Sequence, residues 1–349
     1  MPSDPNDPPR DRVVGEEALI AEFWAPLAAE FPGAFGLEDD CAVIATEAGH
    51  DLIVTTDAVI AGVHFIPGEG ANEIAWKALA VNVSDLLAKG AMPFAYVMSI
   101  ALPEAPEHDW IKAFAKGLRL AQNMFHCHLI GGDTDRTPGP LSVSITAFGS
   151  VPAGRMVRRS TARPGDLVYV SGTIGDAALG LDLRRHAALS ARCTLGAGAR
   201  ARLDARFCAP LPPIALAPVV RDMAAAAMDV SDGLVKDFGR LCRSSGVGGR
   251  IEAQRVPLSE ETQAALAMGV TTLDRLITGG EDYEVLTAVR PQRAAEFERL
   301  AYAVGTRVTC IGTITPPADG VVVIDATGAP LAIARTGWDH FRRPMRLEH

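Results

Sequence analysis

Lysine is scarce in this chain. Of 33 basic residues only five are Lys: Lys77, Lys89, Lys112, Lys116 and Lys236. Phosphate chemistry needs cations, so a phosphate site here would draw on arginine or on metal ions. Long apolar runs are absent as well. No stretch approaches the ~18 uninterrupted apolar residues of a membrane helix. The most apolar window, 91–102, is short and contains Pro93. The opening residues, MPSDPNDPPRDR, lack a basic start followed by an apolar stretch. They predict no signal peptide, no membrane association and a cytoplasmic protein. The six cysteines, at positions 41, 127, 193, 208, 242 and 310, form no C-x-x-C pair. They read as reduced, mostly buried thiols rather than a disulfide framework or a zinc site.

Several catalytic signatures are also missing. There is no G-x-x-x-x-G-K-[ST] phosphate loop and no G-x-G-x-x-G after the first strand. No G-x-S-x-G elbow and no H-E-x-x-H zinc motif occur. His126-Cys127-His128 has no second cluster beside it and reads as structural. The net charge of −9 argues against a nucleic-acid partner.

What is present is a chain of 349 residues, 48% hydrophobic and 21% charged, enough for two globular domains. Apolar spacing predicts helices over 16–31, 72–89, 107–124 and 177–185. A further helix is expected after Ser231, and an Ala-rich one ending near Ala227. Strands are predicted over 41–45, 51–55, 94–102, 128–131, 141–151 and 167–171, and near 284–289, 307–314 and 320–324. An Arg-rich, apolar-poor stretch from Pro152 to Pro164 marks a boundary near residue 153. The expected organisation is a disordered extension over 1–13, a first domain over 14–153 and a second over 154–346. Leu347-Glu348-His349 reads as a tag remnant. The mixed order of helices and strands predicts two domains, each α/β or α+β.

Acidic clusters recur where apolar runs end or helices begin. They are Asp39-Asp40, Thr55-Thr56-Asp57, Asp85, Asp133 and Asp229-Val230-Ser231-Asp232. One such Asp is most often a cap or a turn residue, and Ser231 itself is a candidate N-cap. The number of clusters carries the argument. Short carboxylates at strand ends are hard oxygen donors suited to Mg²⁺. Asn82 and Asp85 lie three apart on one helix face. Gly131-Gly132-Asp133-Thr134 is a turn or a glycine-lined anion site, and so is Gly279-Gly280-Glu281-Asp282. His64 follows a bend at Ala61-Gly62. The sum fits polyphosphate bound through several Mg²⁺ ions, with phosphoryl transfer driven by alignment and charge neutralisation.

In this order the motifs resemble the thiamine-monophosphate kinase family. The matching segments begin with Gly15-Glu16, Asp39-Asp40-Cys41-Ala42, Thr55-Thr56-Asp57, Ala61-Gly62-Val63-His64-Phe65 and the run from Lys77 to Leu86. They continue with Gly131-Gly132-Asp133-Thr134, Arg159 ahead of Pro164-Gly165-Asp166, and Asp229-Val230-Ser231-Asp232-Gly233-Leu234. They end with Gly279-Gly280-Glu281-Asp282-Tyr283-Glu284 and Gly337-Trp338-Asp339-His340-Phe341. The match spans about residues 14–342. Thr161 stands where relatives often have Gly, which bears only on local loop shape.

The resemblance implies a two-domain fold of the aminoimidazole-ribonucleotide-synthetase-like (PurM-like) kind. Its N-terminal domain would be α/β with a mixed sheet, its C-terminal domain α+β, and the protein a homodimer. It implies ATP-dependent phosphorylation of thiamine monophosphate to thiamine diphosphate by direct in-line transfer. Carried over by position, Asp40, Thr55, Thr56, Asp57, Asp85, Asp133, Asp229 and Asp232 would hold Mg²⁺, with Asp39 beside them. Gly132, Asp133, Arg159 and Ser231 would contact ATP. His64, Glu281 and Trp338 would contact thiamine monophosphate. Asp57, Asp85, Asp232 and Arg159 would act on the transferring group, and K⁺ is a candidate additional cofactor. Three relatives in the superfamily fit less well. Selenophosphate synthetases need an early Lys, carbamoyl dehydratases a terminal Cys, and aminoimidazole ribonucleotide synthetase a different segment at 56–62. A Mg²⁺-dependent phosphohydrolase and a nucleotide sensor without turnover are the readings from other classes.

Overall fold

A computed structural model describes residues 15–338. The expected N-terminal extension, the tag remnant and Asp339-His340-Phe341 lie outside the described residues. The chain divides into two compact units, 15–86 with 91–154, and 87–90 with 155–338.

The first unit opens with α1 (Glu16–Leu19), a π-helical turn (Ile20–Trp24) and α2 (Ala25–Ala28). It continues through β1 (His50–Ile60), α3 (Ala71–Ala88), β2 (Met92–Leu102), α4 (His108–Phe125), β3 (His128–Arg136) and β4 (Ser142–Pro152). The four strands form a mixed sheet in the order β1-β4-β2-β3, with only β2 and β3 parallel. β4 alternates strictly. Val143, Ile145, Ala147 and Val151 are buried, while Ser142, Ser144, Thr146 and Ser150 are less so. α4 buries Ile111, Phe114, Leu118, Ala121 and Phe125, the three-and-four spacing of an amphipathic helix. α3 is apolar nearly all round, and its buried polar residues, Lys77, Asn82 and Ser84, therefore need partners inside.

The second unit runs β5 (Leu167–Ser171), α5 (Asp176–Arg185), α6 (Ala187–Arg192), α7 (Ala197–Cys208), α8 (Ala217–Met223), β6 (Ala226–Val230) and α9 (Leu234–Ser245). Then come β7 (Gly248–Glu252), α10 (Glu260–Ala267), α11 (Leu273–Thr278), β8 (Glu284–Val289), α12 (Ala294–Ala303), β9 (Val308–Thr315) and β10 (Val321–Ile324). Its sheet has the order β10-β7-β9-β5-β8-β6, antiparallel except for β10 with β7. One core packs α9 residues Leu234, Phe238 and Leu241 against Val168, Val170, Met228 and Leu286. A second sets Tyr169 on Phe297 in an edge-to-face contact at 5.2 Å.

Several elements depart from the sequence reading. The 16–31 helix is broken into α, π and α segments. Residues 41–45 form no strand, and Cys41 and Val43 are exposed. β1 is longer than expected and is an edge strand, not a buried one. The Ala-rich helix stops at Met223, because residues 226–230 join the sheet as β6, where every residue is buried. β7 went unpredicted because its Gly248-Gly249 start carries no strand signal. Gly131 to Thr134 lies within β3 rather than in a turn.

Candidate active site

In the first unit, the Thr55-Thr56-Asp57 segment lies in the second half of edge strand β1. Thr55 donates its hydroxyl to Asp85 Oδ2 of α3 at 2.6 Å. Thr56 faces the other side of the strand, where its hydroxyl donates to Ile145 O at 3.1 Å and accepts from Thr146 at 3.0 Å. Asp57 is exposed, but its backbone N–H is held by Asn82 Oδ1 at 2.8 Å. β1 then bends, and His64 Nδ1 accepts the Ile60 N–H at 3.1 Å. The neutral ring therefore carries its proton on Nε2. The buried Lys77 donates to the His64 carbonyl at 2.7 Å and anchors the bend.

A second group in this unit surrounds a cavity of about 350 Å³. Asp39, Asp40, Gly132 and Asp133 line it, over a floor that includes Ile20, Trp24 and Met98. Gly132 is required there, since a Cβ would stand 1.8 Å from the Met98 carbonyl oxygen across the β2–β3 pairing. Trp24 Nε1 donates to Thr134 Oγ1 at 3.2 Å and ties the π turn to β3.

In the second unit, Asp229 is buried within β6, and Ser231 and Asp232 follow in the corner before α9. Ser231 is not the N-cap; Gly233 occupies that position. The corner is held from the helix side. Asp237, fully buried, accepts the Ser231 N–H at 3.1 Å and the Asp232 N–H at 2.9 Å through Oδ2. Burial, with the Asp232 charge adding, pushes the Asp237 carboxyl up to about 7, while Arg240 pulls it down. The Asp232 carboxylate pairs with Arg240 at 2.6 Å and Lys236 at 3.0 Å.

Two further segments converge on the same corner. Glu281 N–H donates to Ser231 O at 2.8 Å, and Tyr283 N–H to Val230 O at 2.8 Å. Glu281 and Tyr283 both adopt left-handed φ, 68° and 52°. Such strain in non-glycine residues clusters at functional sites. Behind the loop, Glu284 accepts from Ser171 and Arg206, each at 2.6 Å, and Asp282 accepts the Gly175 N–H at 2.9 Å. Trp338 N–H donates to Asp232 O at 2.9 Å, its carbonyl accepts from Lys236, and its ring remains half-exposed.

The second unit thus gathers Ser231, Asp232, Glu281 and Trp338 at one place. Arg159 is exposed, and its carbonyl is fixed by Ser245 Oγ at 2.9 Å. Among the described residues no three His, Cys, Asp or Glu side chains stand close enough to hold a metal by themselves. The donor set is nevertheless all hard oxygen, from Asp and Thr. It suits Mg²⁺, which keeps several waters and takes one or two carboxylates plus substrate phosphate oxygens. Sequence reasoning missed the holders Asp237, Arg240 and Lys77. An Asp in the first turn of the helix after the Asp-Val-Ser-Asp corner was the available signal for Asp237.

Comparison with known proteins places the chain in a family. Residues 38–151 match AIR synthase related protein, N-terminal domain, and residues 163–325 match AIR synthase related protein, C-terminal domain. The chain is 36% identical over 332 residues to thiamine-monophosphate kinase of Salmonella typhimurium, covering 95% of this chain and 99% of that protein. The crystal structure of thiamine-monophosphate kinase from Stenotrophomonas maltophilia superposes with a TM-score of 0.76 at 38% identity, over 84% of this chain and 91% of that one. AaThiL complexed with AMPPCP and TMP superposes with a TM-score of 0.73 at 31% identity, over 89% and 98%. The two mixed-sheet domains are those that the sequence resemblance implied.

Proposed function

The chain belongs to the thiamine-monophosphate kinase family, and we propose that it transfers the γ-phosphoryl group of ATP to thiamine monophosphate, yielding ADP and thiamine diphosphate. One observation carries the reading. A relative of the same fold, aligned over nearly its whole length, was solved with AMPPCP, an ATP analogue, and TMP.

In this reading Asp40, Thr55, Thr56, Asp57, Asp85, Asp133, Asp229 and Asp232 hold Mg²⁺, with Asp39 beside them. Bound Mg²⁺ supplies charge neutralisation between donor and acceptor phosphates. Gly132, Asp133, Ser231 and Arg159 contact ATP, and Arg159 supplies a cation where lysine is scarce. His64 donates from Nε2 to the acceptor phosphate; the Ile60 N–H on Nδ1 supports that tautomer. Trp338 offers a half-exposed ring for stacking on the acceptor, and Glu281 a carboxylate for its cationic or amino groups. No general base is needed, because the attacking phosphate oxygen is already ionised.

The reading includes a cytoplasmic homodimer. Leu52 and Val54 lie on one face of edge strand β1, 40% and 53% exposed, and offer an apolar surface for a second copy. Among the described residues no helix is long and apolar enough to cross a membrane.

The test is a product assay with ATP, MgCl₂ and either thiamine monophosphate or free thiamine, with K⁺ exchanged for Na⁺ in parallel. Thiamine diphosphate formed only from the monophosphate, with matching ADP, is expected. Phosphate release without thiamine diphosphate would overturn the assignment.

A further inference from the structure

β1 is the outermost strand of its sheet, paired with β4 on one side only. An edge strand leaves backbone N–H and C=O groups facing away from the sheet. At Asp57 those groups are met by one side chain. Asn82, fully buried on α3, accepts the Asp57 N–H at 2.8 Å and extends its amide nitrogen to the Asp57 carbonyl at 3.5 Å. The same nitrogen donates to Ala78 O, one turn back on α3, at 3.0 Å. The orientation of the amide follows from its partners: a backbone N–H demands the oxygen, and the Ala78 carbonyl demands the nitrogen.

An Asn side chain carries one acceptor and two donors and can grip a residue's backbone as a neighbouring strand would. Here the gripped residue is Asp57. One turn further along α3, Asp85 accepts the hydroxyl of Thr55, two residues before Asp57. A single helix face, Ala78, Asn82 and Asp85, therefore fixes both the strand that carries Thr55 and Asp57 and the carboxylate opposite them.

We propose that Asn82 is a positioning residue for the phosphate-binding Mg²⁺ site, setting Asp57 in register with Asp85. The proposal rests on the kinase reading above. Asn82 touches no substrate in this role and acts through the backbone of Asp57. Residues that orient metal ligands are worth about 10- to 100-fold in metal affinity, and displacement of about 1 Å can cost 100-fold in rate.

The experiment uses the full chain with AMPPCP and Mn²⁺, which reports binding by its paramagnetic resonance signal without turnover. Variants Asn82→Asp, Asn82→Ser and Asn82→Ala are compared with Asp57→Asn, and thermal unfolding is recorded for each. The expected result is Mn²⁺ binding weakened about tenfold or more in folded Asn82 variants, with Asp57→Asn weakened as well. Half-saturating Mg²⁺ for turnover should rise in parallel, and the KM for thiamine monophosphate should stay within about twofold. If Asp57→Asn weakens Mn²⁺ binding but folded Asn82→Ser binds like the parent, the positioning role is overturned and the kinase reading stands. If Asp57→Asn also binds like the parent, the assignment of Asp57 in the kinase reading fails, and the role of Asn82 fails with it. Loss of cooperative unfolding in all three Asn82 variants would overturn the proposal too, by making the side chain a determinant of folding rather than of site geometry.

Discussion

Arg240 Nη1 stands 2.6 Å from Oδ2 of Asp232, within a corner where the carboxylate also meets Lys236. Two cations already sit on one oxygen of the carboxylate that the kinase reading assigns to Mg²⁺. The two ion pairs fix the Asp232 side chain before any nucleotide arrives.

Asp232→Asn should lower kcat by about 100-fold or more, the scale expected on removing a charge that acts at the transferring phosphoryl group. The pairs are partly exposed, so stability should change by less than about 1 kcal/mol. Steady-state kinetics and circular dichroism check this together. Near-normal turnover in a folded variant would remove Asp232 from the site.

Trp338→Ala should raise the KM for thiamine monophosphate by up to about tenfold, the scale of one aromatic stacking contact. The KM for ATP should stay nearly constant. The backbone bond from Trp338 N–H to Asp232 O survives the change. Equal shifts in both constants would argue against stacking on the acceptor.

Gly132→Ala should be far more damaging than its size suggests. The new methyl would meet the Met98 carbonyl at 1.8 Å, and backbone there cannot yield without breaking the β2–β3 pairing. A loss of several degrees in thermal midpoint and weaker nucleotide binding are expected. An unchanged unfolding curve would show that the two strands tolerate the insertion.

Asp282 gives a pH signature. Burial holds its carboxyl well above the ordinary carboxylate range, against the Gly175 N–H and Arg206. The folded chain then binds this proton more tightly than the unfolded chain. Its contribution to stability is full below the unfolded value near 3.9 and is lost as pH rises through the higher folded value. Asp282→Asn keeps an oxygen for the Gly175 N–H and removes the ionisation. Its thermal midpoint relative to the parent should rise between pH 5 and pH 8.5. A difference constant across that range would contradict the burial argument.

Val54→Glu should convert a dimer to a monomer in sedimentation velocity at micromolar concentration. Val54 lies on the exposed face of β1 beside Leu52, where a buried charge in a dimer would go unpaired. A parent protein that sediments as a monomer would refute the dimer itself.

Much was legible in the sequence because it was local. The periodicity of α4 and the alternation of β4 follow from which face of a short segment is apolar. The Asp-Val-Ser-Asp and Thr-Thr-Asp segments advertise oxygen donors to any reader, and their order identified the family. The errors at 41–45 and 224–227 were also local: short apolar runs do not say whether they are buried, exposed or recruited into a sheet. Tertiary structure alone decided that Asn82 grips Asp57, that Asp237 holds the Ser231 corner, and that Trp338 reaches Asp232. The first and last of these join residues distant in the chain. A hydrogen bond forms only within about 3 Å and in line with its acceptor. No composition or spacing encodes that distance until the sheet and its helices have packed.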